Sequence, residues 1–384
     1  MSPTIGIVAN EPSGDQLGAS IVRALKRRLP DARFVGVAGP RMQREGCETL
    51  LPMERLSVMG LVEVLKVLPE LLRLRRSLVR YFRANRPDVF IGIDAPDFNL
   101  GLETRLRQAG VLTVHVVSPT VWAWRAGRVK SIRRAVDLML SLFPFEETFL
   151  RDNRVPARYV GHPLADEIPL QVDAAVARAG LGLPAEGEVV ALLPGSRMSE
   201  VARLSVPMLE TAMWCQQRRP GVRFVAPFVS QRLLRVFDAR RREIAPELDC
   251  LLLNERSREA IAAADCVLTA SGTATLETLL LKRPMLVAYR INALTYRLVV
   301  ALKLIKVPYA AMANLLVGRE LAQEFLQHRC RADLMGPALL ALLEDRLRRD
   351  AIATEYARVH RMLRQDAARQ AADAVMDLLA GIEP

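Results

Sequence analysis

The sequence lacks the patterns of secreted, membrane-spanning and metal-binding proteins. Its five cysteines are odd in number and show no C-x-x-C spacing, which fits neither a disulfide framework nor a zinc site. Its four histidines show no metal-ligand spacing, so we expect no metal and no cofactor. No run approaches the roughly 18 apolar residues that cross a bilayer, and the first residues do not resemble a secretory signal. These absences predict a cytoplasmic protein, soluble or peripheral to a membrane.

Three common enzyme motifs are missing as well. The first predicted strand is not followed by G-x-G-x-x-G, and the chain contains no G-x-x-x-x-G-K-[ST]. The sequence therefore does not favour a nicotinamide-dependent dehydrogenase or a P-loop ATPase. The chain also has no G-x-S-x-G, the nucleophile motif of the α/β-hydrolases.

The composition is that of a globular protein with an excess of positive charge. The 384 residues suffice for two or three domains, and 51% of them are apolar, which excludes a mostly disordered chain. Lysine and arginine number 54 against 42 aspartate and glutamate, a net charge of +12. Such an excess favours an anionic partner: a nucleic acid, a phosphorylated substrate or an acidic membrane surface. Only six of the basic residues are lysine, and genomic base composition alone explains such arginine dominance.

Short apolar runs alternate with longer amphipathic segments, which is the pattern of parallel strands covered by helices. A first set of strands is predicted at 4–9, 32–37, 88–94, 112–117 and 136–142, and a second at 189–195, 222–228, 248–253, 266–270 and 284–289. The stretch from 321 to 379 is predicted to be nearly all helix. The sequence thus predicts an α/β protein with two doubly wound, Rossmann-like domains facing a cleft, and a helical C-terminal segment.

We place the N-terminal domain at 1–165 and the C-terminal domain at 166–345, joined by a Pro-containing linker near 161–170. The helices at 346–384 are expected to pack back on the N-terminal domain. Ligands of such sheets bind beyond the carboxyl ends of the strands, so the candidate functional residues are those of the loops there.

Two loops of the N-terminal domain carry such candidates. Glu11, Ser13 and Asp15 stand where the first strand turns into a helix, and free N–H groups there suit an anion or a sugar hydroxyl. Asp94 and Asp97 follow a buried strand, a position from which a carboxylate reaches a bound ligand and can serve as a general base. The alternative in both loops is an ordinary helix cap.

Two loops of the C-terminal domain suit a nucleoside diphosphate. Arg197 lies in a strand-to-helix loop, and its fork binds two phosphate oxygens at once. Ser271, Gly272, Thr273 and Ala274 begin a helix whose N–H groups form an anion cradle, and Glu277 lies one turn on, within reach of a ribose diol. A capping serine and a solvated glutamate are the alternative.

The segment at 58–82 is apolar around most of a helical wheel. The residues expected to contact a membrane are Val62, Leu65, Leu68, Leu71 and Leu72, and basic residues follow them. Counted through Arg83, the segment has six Lys/Arg and two Glu, a net charge of +4. This pattern indicates a helix in an anionic membrane surface, with a helix buried on several sides as the alternative. Pro69 is expected to break or kink it into two helices.

Two further segments combine aromatic or apolar residues with positive charge. Residues 122–134 include Trp122 and Trp124 beside five basic residues, which suits a nucleic acid, a phosphate-bearing substrate or a lipid surface. Residues 295–306 form a second basic amphipathic candidate.

Taken together, the chain resembles the lipid-A-disaccharide synthase family of bacterial glycosyltransferases over nearly its whole length. The resemblance rests on EPSGD (11–15), FVGVAGPRM (34–42), VMGLVEVL (58–65), PDVFIGIDAPDFN (87–99), VSPTVWAWR (117–125), GHPLAD (161–166), LLPGSR (192–197), ASGTATLE (270–277) and NLLVGRE (314–320). The departures are small: Asn10 replaces the usual glycine, Ala313 replaces a frequent proline, and the stretch between Glu277 and Asn314 is slightly longer. They affect only the fine shape of the acceptor side.

This resemblance implies a GT-B glycosyltransferase that uses no metal. It would move 2,3-diacylglucosamine from UDP to the 6-hydroxyl of 2,3-diacylglucosamine 1-phosphate with inversion, giving a β-1,6 disaccharide phosphate and UDP. This chemistry needs a base on the acceptor hydroxyl, for which we favour Asp94, with Asp97 on the acceptor side as the alternative base. The donor site is expected to consist of Arg197 and residues 271–274 at the diphosphate, Glu277 at the ribose, and Asn314 near the donor. Glu11, Ser13 and Asp15 would line the acceptor side.

The resemblance also explains the positive charge of the chain, because both substrates are membrane lipids and a basic protein binds an anionic membrane surface. It implies a peripheral protein on the cytoplasmic face of the inner membrane, with no nucleic-acid partner. The oligomeric state stays open, with a homodimer as the alternative to a monomer. The rival enzyme of the same fold is a UDP-N-acetylglucosamine 2-epimerase, whose water-soluble substrate gives no reason for a broad apolar surface helix.

Overall fold

The computed structural model describes residues 2–56, 61–122, 126–292, 296–297, 301 and 307–382, with only the backbone described at 61–67 and 126. The chain divides into two compact units, here called the N-terminal unit (Met1–Asp166 with Leu363–Pro384) and the C-terminal unit (Glu167–Met362).

Within the described residues, the N-terminal unit contains a seven-stranded parallel sheet in the order β3-β2-β1-β4-β5-β6-β7. Its strands are β1 (Thr4–Ala9), β2 (Arg33–Val37), β3 (Cys47–Thr49), β4 (Val89–Ile93), β5 (Leu112–Val116), β6 (Leu138–Ser141) and β7 (Ala157–Tyr159). Its helices are α1 (Pro12–Arg28), α2 (Pro40–Arg44), α3 (Leu61–Ala84), α4 (Pro96–Arg107), α5 (Val129–Ala135), α6 (Pro144–Asp152) and, at the unit boundary, α7 (Pro163–Glu167).

The described part of the C-terminal unit contains a six-stranded parallel sheet in the order β10-β9-β8-β11-β12-β13. Its strands are β8 (Val189–Leu193), β9 (Arg223–Phe228), β10 (Cys250–Asn254), β11 (Cys266–Ala270), β12 (Met285–Tyr289) and β13 (Gln323–Leu326). The helices are α8 (Ala174–Leu181), α9 (Met198–Arg218), α10 (Gln231–Ile244), α11 (Ser257–Ala263), α12 (Thr273–Leu280), α13 (Met312–Val317), α14 (Ala332–Glu344) and α15 (Arg346–Leu363), and α16 (Ala367–Leu379) ends the chain's secondary structure.

The predicted α/β class with two doubly wound parallel sheets and a helical C-terminus is confirmed. The predicted strands are present, because continuous apolar runs are what a sheet buried on both faces requires. Three short strands, β3, β7 and β13, were not predicted. The last of them corrects the expectation that helix begins at 321, since Gln323–Leu326 pairs in parallel with β12.

The C-terminal helices do not form one block over 346–384. α15 belongs to the C-terminal unit as far as Met362, whereas α16 belongs to the N-terminal unit and contributes Ala371, Ala372, Ala374 and Val375 to its core. The carboxylate of Asp166 accepts the backbone N–H of Asp366 at 2.9 Å and of Ala367 at 2.7 Å, which caps the start of α16. The GHPLAD motif therefore fixes the returning helix.

α3 is one continuous helix with Pro69 inside it, so the expectation of two separate helices is wrong. Its second half packs on the sheet through Leu74, Leu78, Val79 and Phe82, all buried. The Phe82 ring meets the Phe90 ring of β4 edge-on, with centroids 5.3 Å apart. These contacts hold the helix in place beyond the proline, because tertiary packing outweighs local propensity.

Candidate active site

The carboxyl ends of β1 and β4 bring two of the predicted loops to one edge of the N-terminal sheet, because these strands are parallel neighbours. Glu11 is the N-cap residue of α1 and Ser13 lies in its first turn, half-buried and exposed respectively. The Glu11 side chain does not cap this helix end. Within the described residues, the first N–H groups of α1 therefore have no intrahelical or side-chain acceptor.

Asp15 does not face this edge as an open acceptor-side group. It is 3% exposed, and its two carboxylate oxygens accept the backbone N–H groups of Arg41 at 2.9 Å and of Met42 at 3.0 Å. The side chain thus caps α2, which corrects the expectation that it lines the acceptor side. Asp15 is therefore a helix cap, which was the alternative interpretation of this loop, but it caps α2 and not α1.

Asp94 follows β4 on a strained turn. Its φ is +50° and that of Ala95 is +41°, so two consecutive residues with a Cβ occupy the left-handed region. Each such residue costs on the order of 1–2 kcal/mol. Among the described residues no hydrogen bond or ion pair occupies the half-buried Asp94 carboxylate.

Asp97 lies in the first turn of α4, with its side chain 83% exposed and paired with Arg128. The two carboxylates therefore lie close together in the chain but differ in environment. Asp94 is half-buried and open to a ligand, whereas Asp97 is exposed and ion-paired.

An apolar pocket of about 310 Å³ lies at the ends of β2 and β3. Its lining consists mostly of hydrocarbon and includes no lysine or arginine; the apolar members are Ala38, Pro40, Leu50, Leu51, Pro52 and Met53. β2 is two strands from β4 in the sheet, which places the pocket roughly 10 Å along the edge from Asp94 at ordinary strand spacing. No ligand or role was predicted for the residues that line this pocket.

In the C-terminal unit, the ends of β8 and β11 border a pocket of about 320 Å³. It collects six of the seven residues predicted to bind a UDP-sugar, namely Arg197, Ser271, Gly272, Thr273, Ala274 and Glu277. The two strands are parallel neighbours, so the loops that follow them meet at one edge.

The loop after β8 is built around Glu200. Its Oε2 accepts the backbone N–H of Ser196 at 3.0 Å and of Arg197 at 3.2 Å. Gly195 has a φ of +120°, and a Cβ there would lie 2.5 Å from Glu200. The Arg197 side chain is 75% exposed, with Nη1 3.2 Å from Glu200 Oε1. This loop presents a guanidinium to the pocket, and only glycine fits at its bend.

The loop after β11 presents the start of α12. Gly272 is the N-cap residue of α12, has a φ of +135° and offers no side chain, so no described group caps the first-turn N–H groups of this helix. Ser271 Oγ does not cap them either, since it donates to Ala310 O at 2.8 Å. The predicted capping serine is thus a loop anchor, and the helix end itself faces the pocket.

Glu277 lies on α12 beside the same pocket. Burial raises the pKa of its carboxyl, and the Arg258 guanidinium, 3.6 Å away, acts in the opposite direction. Its side chain is 22% exposed, so the predicted solvated glutamate is wrong for this position. A carboxylate has about four acceptor sites, so Glu277 retains acceptor capacity for a ligand hydroxyl beside its ion pair with Arg258.

Asn314 does not line the pocket. It is fully buried, its amide nitrogen donates to Ala322 O at 2.7 Å and to Glu324 Oε1 at 2.8 Å, and its oxygen accepts the N–H groups of residues 321–322. Glu324 also accepts the N–H groups of residues 310–311. This network holds the segment to which Ser271 is anchored, which corrects the expectation of a direct donor contact for Asn314.

The predicted membrane-contact residues on α3 divide into three groups. Side chains of Val62 and Leu65 lie outside the described part of the chain. Leu68 is 42% exposed, and Leu72 is half-buried. Leu71 is half-buried and packs against the core of the N-terminal unit, so the interpretation as a core helix holds for that position.

The other two basic segments fall largely outside the described residues. Trp122 is described, and its Nε1–H donates to the Glu146 carboxylate at 3.1 Å. Residues 123–125 and most of 295–306 are not described. Among the described residues no helix is long and apolar enough to cross a membrane. The same residues contain no group of three or more His, Cys, Asp or Glu side chains suited to a metal ion.

Two parallel sheets with alternating helices, and a ligand-sized pocket at a strand edge, place the chain in the GT-B fold class. The crystal structure of the glycotransferase of kitacinnamycin superposes with a TM-score of 0.63 at 16% identity, covering 98% of this chain and 99% of that one. A UDP-GlcNAc 2-epimerase from Neisseria meningitidis, bound to UDP-GlcNAc, superposes with a TM-score of 0.59 at 11% identity, covering 99% and 100%. At such identities the likeness concerns the fold alone.

The sequence comparisons then identify the family. The chain matches the lipid-A-disaccharide synthetase family over residues 5–377. A lipid-A-disaccharide synthase from Pseudomonas aeruginosa (strain UCBPP-PA14) is 53% identical over 381 residues, which cover 98% of each chain. The chain therefore belongs to the lipid-A-disaccharide synthetase family and is a glycosyltransferase of lipid A biosynthesis. The 2-epimerase alternative shares the fold but not the family.

Proposed function

We propose that the protein transfers 2,3-diacylglucosamine from UDP to the 6-hydroxyl of 2,3-diacylglucosamine 1-phosphate. The products are a β-1,6 disaccharide 1-phosphate and UDP. The observation that carries the proposal is the pocket of the C-terminal unit, in which Arg197, the start of α12 and Glu277 converge. A cation, free helix N–H groups and a carboxylate match the diphosphate and ribose of a nucleotide sugar.

The donor side follows from these groups. The diphosphate accepts the N–H groups of residues 272–274 and the Arg197 guanidinium, and Glu277 accepts the ribose hydroxyls. Negative charge grows on the diphosphate as the sugar leaves, so the helix start and Arg197 stabilise the transition state more than the ground state. The Neisseria enzyme, which has the same fold, was solved with UDP-GlcNAc bound, and this supports a UDP-sugar ligand.

The acceptor side requires a base, and Asp94 is the residue proposed. Its carboxylate accepts the proton of the acceptor 6-hydroxyl while that oxygen forms a bond to C1 of the donor sugar. The bond from C1 to the diphosphate breaks in the same displacement, and UDP leaves with the electron pair. Attack opposite to an α-linked leaving group gives the β-linked product. The open state of this carboxylate among the described residues supports the role.

The acyl chains of both substrates favour a protein that works at the membrane surface. The exposed Leu68 and the exposed basic residues Arg76, Arg80 and Arg83 of α3 suit a helix that lies on anionic lipid. The apolar pocket at the ends of β2 and β3 offers hydrocarbon contacts near the proposed acceptor site. We therefore place the protein peripherally on the cytoplasmic face of the inner membrane.

The experiment is a transfer assay with purified protein, UDP-diacylglucosamine and diacylglucosamine 1-phosphate in mixed micelles. A disaccharide phosphate in the mass spectrum, with the anomeric coupling of a β linkage, is the expected result. A parallel incubation with UDP-N-acetylglucosamine alone tests the rival activity. Formation of its 2-epimer, without any disaccharide in the first assay, would overturn the proposal.

A further inference from the structure

The loop that carries Asp94 is not stable by local geometry alone. Asp94 and Ala95 both have positive φ. A single aspartate occasionally adopts this region, but an alanine directly after it does so at a steric cost. Ala95 is also the N-cap residue of α4 and makes no side-chain capping bond. Such a turn persists only where surrounding groups hold it, and strain of this kind concentrates at functional positions.

Asn99 is the group that holds it. The side chain is fully buried one turn into α4, and its amide nitrogen lies 3.1 Å from Ile93 O and 2.9 Å from Asp94 O. A third oxygen, Oδ1 of Asn10, lies 3.3 Å away. The two carbonyl groups belong to the residue before the proposed base and to the base itself. One buried amide thus fixes the peptide groups on both sides of the Asp94 Cα.

The helix that presents Asn99 is fixed one turn further on. Glu103 Oε1 lies 2.7 Å from His115 Nδ1 of β5, and both side chains are fully buried. Gly92 makes room for this array, because a Cβ there would lie 2.0 Å from Glu103 Oε1 and 3.1 Å from the Asn99 Cβ. The buried polar groups of α4 therefore sit directly beneath the strand end that carries Asp94.

The geometry points to Asn99 as a positioning residue that acts through Asp94, an inference that rests on the proposed function. Loss of its N–H groups leaves the carbonyls of Ile93 and Asp94 without this donor and lets the strained turn relax. A carboxylate displaced by an ångström no longer meets the acceptor hydroxyl in line, and such a displacement lowers turnover by up to about 10²-fold.

The experiment is a double-mutant cycle between Asn99→Ala and Asp94→Asn in the full-length protein. Asn99→Ala is expected to lower kcat by about 10- to 100-fold, with KM for the UDP-sugar and the affinity for UDP unchanged. In the Asp94→Asn background the same change is expected to have no further effect. Thr104→Ala, which removes a side-chain hydrogen bond to Leu100 O on the same helix and no bond to the Asp94 turn, is the matched control and is expected to stay near wild-type activity.

Asn99→Asp keeps the shape but replaces the donating N–H groups with acceptors, so it repeats the test should the alanine variant fail to fold. It is expected to lose at least as much kcat as the alanine variant. Equal fold-losses from Asn99→Ala in both backgrounds, with Asp94→Asn itself strongly impaired but measurable, would overturn the positioning role and leave the base assignment intact. Wild-type turnover of Asp94→Asn would overturn both.

Discussion

Asp94 and Asp97 are three residues apart on one loop, yet Asp97 is ion-paired with Arg128 and no described group pairs with Asp94. An ion-paired carboxylate at the surface is already committed to a cation. A half-buried carboxylate without a partner is available to accept a proton from a ligand hydroxyl. We therefore expect transfer activity to depend on the Asp94 carboxylate and not on that of Asp97.

Asp94→Asn is expected to lower turnover by roughly 10²-fold or more, because the amide cannot accept the hydroxyl proton. UDP affinity and the unfolding midpoint should stay near those of the wild type. The matched variant Asp97→Asn is expected to retain most activity. The reverse ranking in a steady-state transfer assay would move the base to Asp97.

Gly272→Ala is expected to weaken UDP binding by about tenfold, measured by isothermal titration calorimetry. A Cβ at this position meets no atom within 4 Å, so the effect comes from the φ of +135° and the altered start of α12. The control is Gly182→Ala, which also has positive φ and free space but lies outside the pocket. Both variants should lose on the order of 1 kcal/mol of stability. Equal UDP affinities would show that the helix start does not bind the nucleotide.

Glu146 should make stability depend on pH. Burial raises the pKa of this carboxyl from 4.5 to about 7, while the N–H groups of Trp122 and Phe143 act in the opposite direction. The folded protein therefore holds the proton more firmly than the unfolded chain, and stability falls as pH rises through this window. The loss between pH 4.5 and pH 7 is on the order of 3 kcal/mol.

Urea unfolding at pH 5 and pH 8 measures this effect. The difference between the two pH values should shrink in Glu146→Gln, which cannot ionise, and should persist in Glu147→Gln, which changes the half-buried neighbour that is ion-paired with Arg151. An unchanged difference in Glu146→Gln would assign the pH dependence to other groups.

Leu68 and Leu71 separate the two interpretations of α3. Leu68→Ser is expected to reduce co-sedimentation with vesicles that contain anionic lipid while the protein stays as stable as before. Leu71→Ser should instead lower stability by about 1–2 kcal/mol, because Leu71 packs against the core. Added salt should weaken the vesicle binding of the wild type. Undiminished binding by Leu68→Ser would remove the exposed part of α3 from the contact.

Leu50 tests the apolar pocket at the ends of β2 and β3. Leu50→Ser is expected to raise KM for the diacylated acceptor several-fold and leave UDP affinity unchanged, since burying a leucine side chain is worth about 1.5–3 kcal/mol. Leu170→Ser is the control, because the two leucines are 37% and 38% exposed and only Leu50 lines the pocket. Identical acceptor kinetics in the two variants would rule out an acyl contact at Leu50.

Local patterns predicted the parts of this structure that depend on near neighbours in sequence. The run Cys266–Ala270 is a strand with the predicted bounds, because a short run of apolar or small residues that ends at a glycine-containing turn favours a buried strand. The strand Gln323–Leu326 was not predicted, because it contains Gln323 and Glu324 and owes its place to pairing with β12. Edge strands of this kind depend on a partner that the local sequence does not reveal.

The site residues also divide into those that local sequence predicts and those whose contacts depend on the tertiary fold. Arg197 and residues 271–274 were predicted because a strand, a small-residue turn and a helix follow each other directly in the chain. Glu200 was missed, although its spacing from the loop is that of a capping box and was open to prediction. Asp15 and Asn314 were misassigned because their partners, at 41–42 and at 322–324, are set by the tertiary fold.

The return of α16 to the first sheet has a consequence for the order of events on the ribosome. Residues 1–166 emerge first, yet the core of their unit includes Ala371 and Val375, which are translated near the end. The C-terminal unit is continuous from Glu167 to Met362 and has all its strands available earlier. Nascent chains generally fold from the N-terminus onward. In this protein the N-terminal unit is synthesised first, but its core is complete only after α16 has been translated.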